Sequence, residues 1–172
     1  MTSEKVRLLC RIALSAALLA VCSWIQIPLP SIPVTMQTFA VFVVAALLPL
    51  HGAAAAVGVY LLLGAVGLPV FAGFGSGVGA ILAPAGGYLI GFLPMALTQS
   101  LLQRRLKQPL AMAAGLAVCY FFGTLWYSIV YSGGGFLAVL SVCVLPYIIP
   151  DAVKLALAAL LVRRIARHTA AH

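Results

Sequence analysis

Charge in this sequence is confined to a few places, and that confinement limits what the chain can fold into. Nine of the 10 Lys and Arg residues fall in three short clusters: Lys5, Arg7 and Arg11; Arg104, Arg105 and Lys107; Arg163, Arg164 and Arg167. The only acidic residues are Glu4 and Asp151. Charged side chains make up 7% of the 172 residues and hydrophobic ones 65%, whereas a soluble domain carries roughly 25% charged residues. So little polar surface cannot cover a water-facing globule, so the solvent of this chain is lipid. At about 20 residues per helical span, the length predicts an all-α membrane protein. It forms one compact bundle of six transmembrane helices, a single domain over 1–172.

Apolar runs and their interruptions place the helices. The first runs from Val6 to Trp24 behind a basic start. More apolar runs follow it, so it reads as a retained helix rather than a cleaved signal. Its Ala13, Ala16, Ala17 and Ala20 form two overlapping small-xxx-small pairs, which let helices approach closely in lipid. Next, "QIPLPSIPVTMQ" (26–37) contains Pro28, Pro30 and Pro33, which forbid a regular helix. It is still mostly apolar, so it is expected to fold back over the bundle as a lid or lining. Further helices are predicted over 36–49, 52–67, 86–102 and 110–131, with a partial helix within 136–149. The glycine-dense stretch 68–87 predicts an irregular loop with close backbone approaches. Pro150, a good first-turn residue, is expected to start the last helix, which ends near Arg163.

The basic clusters also predict orientation. With both termini cytoplasmic, all three clusters fall on the inner side of a six-span chain, as the positive-inside rule requires. The outer connections 25–35, 68–85 and 132–149 carry no charge. A net charge of +8 distributed this way points to membrane loops, not to nucleic acid.

Lys154 is the one basic residue outside the clusters, and it lies three residues after Asp151 in "PDAVK". The spacing puts both on one helix face, at the outer end of the last helix. A plainer role is available to each: Asp151 would complement the helix N-terminus and Lys154 would snorkel. Ionisable groups inside a span are costly, however, and mark function by default. One carboxylate and one ammonium suit a ligand with N–H donors and an anionic group. Phe71, Phe74, Tyr88, Trp126, Tyr127, Tyr131 and Tyr147 are candidates for the apolar wall of such a site.

Catalytic chemistry lacks its parts. His51 falls in an inner turn and His168 and His172 in the tail, so no histidine reaches the outer face as a base. One Asp makes no metal site, and Cys10, Cys22, Cys119 and Cys143 show no metal spacing. No GxxxxGK[ST] phosphate loop occurs, so ATP, if used, is hydrolysed by other subunits. The chain reads as a non-enzyme without a cofactor.

Three stretches, "IPVTMQTFAVF", "VYLLLGAVGLPVFAGFGSGVGAILAPAGGYLIGF" and "IIPDAVKLALAALL", together with their order along the chain, resemble the BioY family. BioY proteins are the biotin-specific substrate-capture (S) components of energy-coupling factor (ECF) transporters. The resemblance implies a multi-pass protein of a bacterial or archaeal cell membrane that binds biotin with high affinity near the outer face, under irregular outer loops. It implies Asp151 and Lys154 as ligand contacts, with Gln37, Thr35, Phe71, Gly73, Gly86, Gly87 and Tyr88 as further candidates. It also implies a membrane T component and two ABC ATPases as partners, with Ala13, Ala17 and Ala20 at the docking face. Family members often read "GPTGGY" where this chain has "APAGGY", and the chain has no asparagine. Contacts made elsewhere by a hydroxyl or an Asn amide there fall to Gln37, Thr35, Ser76 or Tyr88. An S component for another vitamin and a ligand-free membrane assembly subunit are the alternatives.

Overall fold

The computed structural model describes residues 3–28, 32–132 and 136–170. Helix α1 (Ser3–Trp24) leads into a short antiparallel ladder, β1 (Gln26–Ile27) with β2 (Val34–Thr35), in the register Gln26 to Thr35 and Ile27 to Val34. Then come α2 (Gln37–Leu47), α3 (Leu50–Ala65), a 3-10 turn (Ala72–Phe74), α4 (Gly77–Leu82) and α5 (Gly86–Leu102). Helix α6 (Gln108–Tyr127) continues into a π turn (Ser128–Ser132), followed by α7 (Phe136–Cys143) and α8 (Leu145–Ala170).

Among the described residues, three helical stretches are long and apolar enough to cross a membrane: α1, α6 with its continuation to Tyr131, and α8 as far as His168. Helices α2, α3 and α5 are apolar but shorter. At 1.5 Å per residue the 17 residues of α5 span ~26 Å, short of the ~30 Å hydrocarbon core. The proline segment forms the β1–β2 ladder, and the glycine stretch forms the 3-10 turn and α4. There, Gly73 and Phe74 both take left-handed φ, 65° and 59°. Phe74 sustains this uncommon conformation while stacking on Trp24 at 5.3 Å.

Helix α2 sits at the centre, packed on α1, α3, α5 and α8, with Gln37 and residues 40–45 buried. A helix this enclosed needs partners for its last carbonyls. Side chains of α5 and the turn after it supply them: Ser100 and Gln103 both donate to the Ala45 carbonyl, at 3.1 and 3.0 Å. Gln99 donates to the Phe42 carbonyl at 2.8 Å.

Helix α8 departs from expectation at its start. It begins at Leu145, so Pro150 lies inside it and Asp151 stands in its second turn. A dipole contribution confined to the first turn therefore does not account for the position of Asp151. Proline has no N–H to give the carbonyl one turn back, yet the helix continues through it, held by packing against α2, α6 and α7.

Candidate functional site

Asp151 and Lys154 point inward from α8 and are 4% and 7% exposed. Their charged groups meet at 2.7 Å. Two hydroxyls complete the cluster. Thr38, in the first turn of α2, donates to Asp151 Oδ1 at 2.9 Å and accepts from Lys154 Nζ at 3.3 Å. Tyr120, on α6, donates to Asp151 Oδ2 at 2.6 Å, a short charge-assisted bond. Three helices thus converge on one carboxylate. This satisfies the rule that a buried charge must be paired and hydrogen-bonded.

The cluster opens on a cavity of about 190 Å³, far above the ~10–15 Å³ a single water needs. Apart from Thr38, Tyr120 and the ion pair, its walls are mostly apolar: Ile32, Val34, Phe71, Ala80, Leu89, Phe92, Cys119 and Tyr147 are among them. A second polar group faces the same space. The Thr35 hydroxyl donates to Gln37 Oε1 at 2.9 Å, and Gln37 Nε2 donates to the Tyr60 hydroxyl. The Tyr60 ring meets Phe71 edge-on at 5.5 Å. Tyr88 closes another wall and donates to the Cys143 carbonyl at 3.1 Å.

Of the residues singled out in the sequence, Asp151, Lys154, Gln37, Thr35, Phe71 and Tyr88 line this one cavity. Gly73, Gly86 and Gly87 do not. A Cβ on Gly86 would lie 1.6 Å from the Ile81 carbonyl oxygen, and one on Gly87 2.2 Å from Trp126 Cβ. Both glycines therefore serve close packing at the start of α5, and Gly73 serves the left-handed bend. Among the aromatic candidates, Tyr147 lines the cavity and donates to the Ile32 carbonyl. Trp126 and Tyr131 instead hold the α4 segment, donating to the Ala83 and Leu82 carbonyls at 3.2 and 2.6 Å. Tyr127 packs on Tyr131 and against the small apolar cluster of Ile32, Val139, Cys143 and Tyr147. On α1, Ala13 and Ala17 are exposed and Ala20 is buried.

Thr38, Tyr120 and Cys119 were not among the sequence candidates. A buried carboxylate has more lone pairs than one lysine can fill, so further donors had to lie nearby. Nothing in the sequence says which of several threonines and tyrosines they are.

These features define a multi-pass membrane protein with an internal cavity built for one small molecule bearing polar groups. The sequence profile of the BioY family matches residues 1–171, and the chain belongs to that family. Over 165 residues it is 36% identical to the biotin transporter BioY of Thermotoga maritima, covering 93% of this chain and 96% of that one. Over 158 residues it is 36% identical to a probable biotin transporter BioY of Pyrococcus horikoshii, covering 92% and 95%. The fold superposes with a TM-score of 0.89 on the crystal structure of an S component for biotin from an ECF-type ABC transporter. That match has 26% identity and covers 97% of this chain and 95% of the other.

Proposed function

We propose that this chain captures biotin at the outer face of the membrane as the S component of an ECF-type vitamin uptake system. The observation that carries the reading is the buried Asp151–Lys154 pair opening onto an otherwise largely apolar cavity of small-molecule size. Biotin combines a ureido ring, an apolar thiophane, an aliphatic arm and a carboxylate. The ion pair suits a polar group of the ligand. Phe71, Leu89 and Phe92 suit the thiophane and arm, and Thr35, Gln37 and Tyr88 offer further hydrogen bonds. The family membership and the biotin-transporting relatives point to the same ligand.

In this reading α1, α2, α3, α5, α6 and α8 are the six membrane helices, and residues 1–172 work as one unit. Both termini and the 103–107 turn face the cytoplasm, in keeping with nine of the ten basic residues. The β1–β2 ladder, the α4 segment and α7 then cover the cavity on the outer side. The energising partners are a membrane T component and two ABC ATPases. The exposed Ala13 and Ala17 form the close-approach surface on α1, with the buried Ala20 left to packing inside the bundle.

Calorimetry on the purified chain, with biotin beside thiamine and riboflavin, tests the ligand. Heat from biotin alone is expected. Heat from another vitamin in its place reassigns the substrate, and no heat from any of the three favours an assembly role.

A further inference from the structure

An ionised carboxylate offers about four acceptor positions and an ammonium three donors. At Asp151, Oδ1 accepts two bonds, from Lys154 at 2.7 Å and from the Thr38 hydroxyl at 2.9 Å. Its Oδ2 accepts one, from the Tyr120 hydroxyl at 2.6 Å. Lys154 Nζ directs one N–H to Asp151 and a second, longer one to Thr38 Oγ1 at 3.3 Å. Among the described residues, this leaves one acceptor position on Oδ2 and one donor on Nζ. All four residues line the cavity.

We infer that Tyr120 and Thr38 are specificity-determining residues. By occupying the other valences of Asp151, they reduce the ion pair to one open acceptor beside one open donor. That combination complements a single N–H and C=O edge of a cyclic urea. The inference rests on the biotin reading.

Each alternative group is disfavoured for a stated reason. A ligand carboxylate turned toward the pair would set an acceptor against Oδ2. A cationic group there would face the ammonium of Lys154. The two positioning hydroxyls come from different helices, Thr38 from α2 and Tyr120 from α6, so the carboxylate is held from two sides. Removing the Tyr120 hydroxyl frees a second position on Oδ2. The site then presents more negative acceptor capacity and tolerates a ligand with an additional N–H and a positive charge.

The guanidinium analogue 2-iminobiotin, in which the ring C=O is replaced by C=NH2+, is the probe for this difference. Calorimetry compares biotin and 2-iminobiotin on the purified full-length chain. The unaltered protein is expected to prefer biotin. Tyr120→Phe is expected to weaken biotin and to lower its preference over 2-iminobiotin by about tenfold, the worth of one charge-assisted hydrogen bond. Thr38→Val frees a position on Oδ1 but also the Lys154 N–H that Thr38 accepts, so it is expected to shift the preference in the same direction by less than Tyr120→Phe. Thr38→Ser, which keeps the hydroxyl, retains the wild-type preference. An unchanged preference in both Tyr120→Phe and Thr38→Val, with the two ligands weakened equally or not at all, makes these residues structural supports and overturns the inference. Failure of the unaltered chain to bind biotin overturns the functional reading instead, and the inference falls with it.

Discussion

Along the seam between α5 and α6, glycines let the facing helix come close, backbone as well as side chain. Gly87 fits against Trp126, Gly91 against Cys119, Gly115 against Met95 and Gly123 against the Tyr88 ring. The seam between α2 and α8 is different: Thr38 on one side meets Asp151 and Lys154 on the other. Close packing holds the first seam, with one weak bond from the Cys119 thiol to the Tyr88 carbonyl at 3.7 Å, and nothing in it has to desolvate a charge. The second must desolvate two charges, and a buried ion pair roughly breaks even against well-packed apolar residues at best. Both seams border the cavity, but the charged seam is the one that presents ionised groups to it. A helix bundle that can be held by glycine packing has no structural need for an ion pair, and the proposed ligand contact supplies a reason for one.

Breaking the charged seam on one side is the most severe test. Lys154→Ala leaves Asp151 buried without its cation, which costs about 3–5 kcal/mol. A large drop in apparent Tm and loss of biotin binding are expected. Asp151→Asn combined with Lys154→Met removes both charges and should recover most of the stability without recovering binding. Recovery of binding as well would show that the ligand does not read the charges.

At the apolar seam, Gly87→Ala drives a methyl into Trp126 and should cost about 1–3 kcal/mol by overpacking, visible in the thermal melt. Biotin affinity should change little in whatever protein remains folded. A stable variant that has lost biotin would give Gly87 a ligand role and blur the contrast between the two seams.

Gln99→Met probes the buried middle of α2, where Gln99 meets the Phe42 carbonyl. Gln99 is fully buried and its Oε1 has no partner among the described residues. The substitution gives up the bond to the Phe42 carbonyl but also removes the orphan acceptor. A net loss within about 1 kcal/mol and unchanged biotin affinity are expected by melt and calorimetry.

The smallest effect on the molecule itself should come from Ala17→Leu on the exposed face of α1. Stability should stay within about 0.5 kcal/mol and biotin binding should be unaffected. Uptake by cells carrying the energising subunits should fall. Uptake at the wild-type level removes α1 as the docking surface.

The charge pattern made α8 and its pair legible, because two ionisable residues in an apolar run cannot be hidden by composition. Apolar run lengths placed α1, α2, α3, α5 and α6 to within a few residues. What stayed illegible has two physical causes. Local chemistry misled where tertiary packing overrode it: Pro150 reads as a helix start, yet α8 passes through it, and Gly86 and Gly87 read as backbone room for a ligand but make room for Ile81 and Trp126. Other residues carried no local signal at all. Thr38 and Tyr120 matter only because three helices converge, and a single threonine or tyrosine in an apolar run looks the same wherever its side chain ends up.

Asp151 and Lys154 bond to each other within one helix, three residues apart. That spacing matters before the bundle exists. During insertion, a lone carboxylate or ammonium at membrane depth opposes partitioning into the bilayer by about 2.5–3.5 kcal/mol on translocon scales. A pair joined along one turn can enter as a locally neutral unit, with no partner helix required. Had the two charges been placed on separate helices, each would have waited unpaired in lipid for the other to arrive. The i,i+3 spacing thus puts the counter-ion on the same helix as the carboxylate, independent of any partner helix.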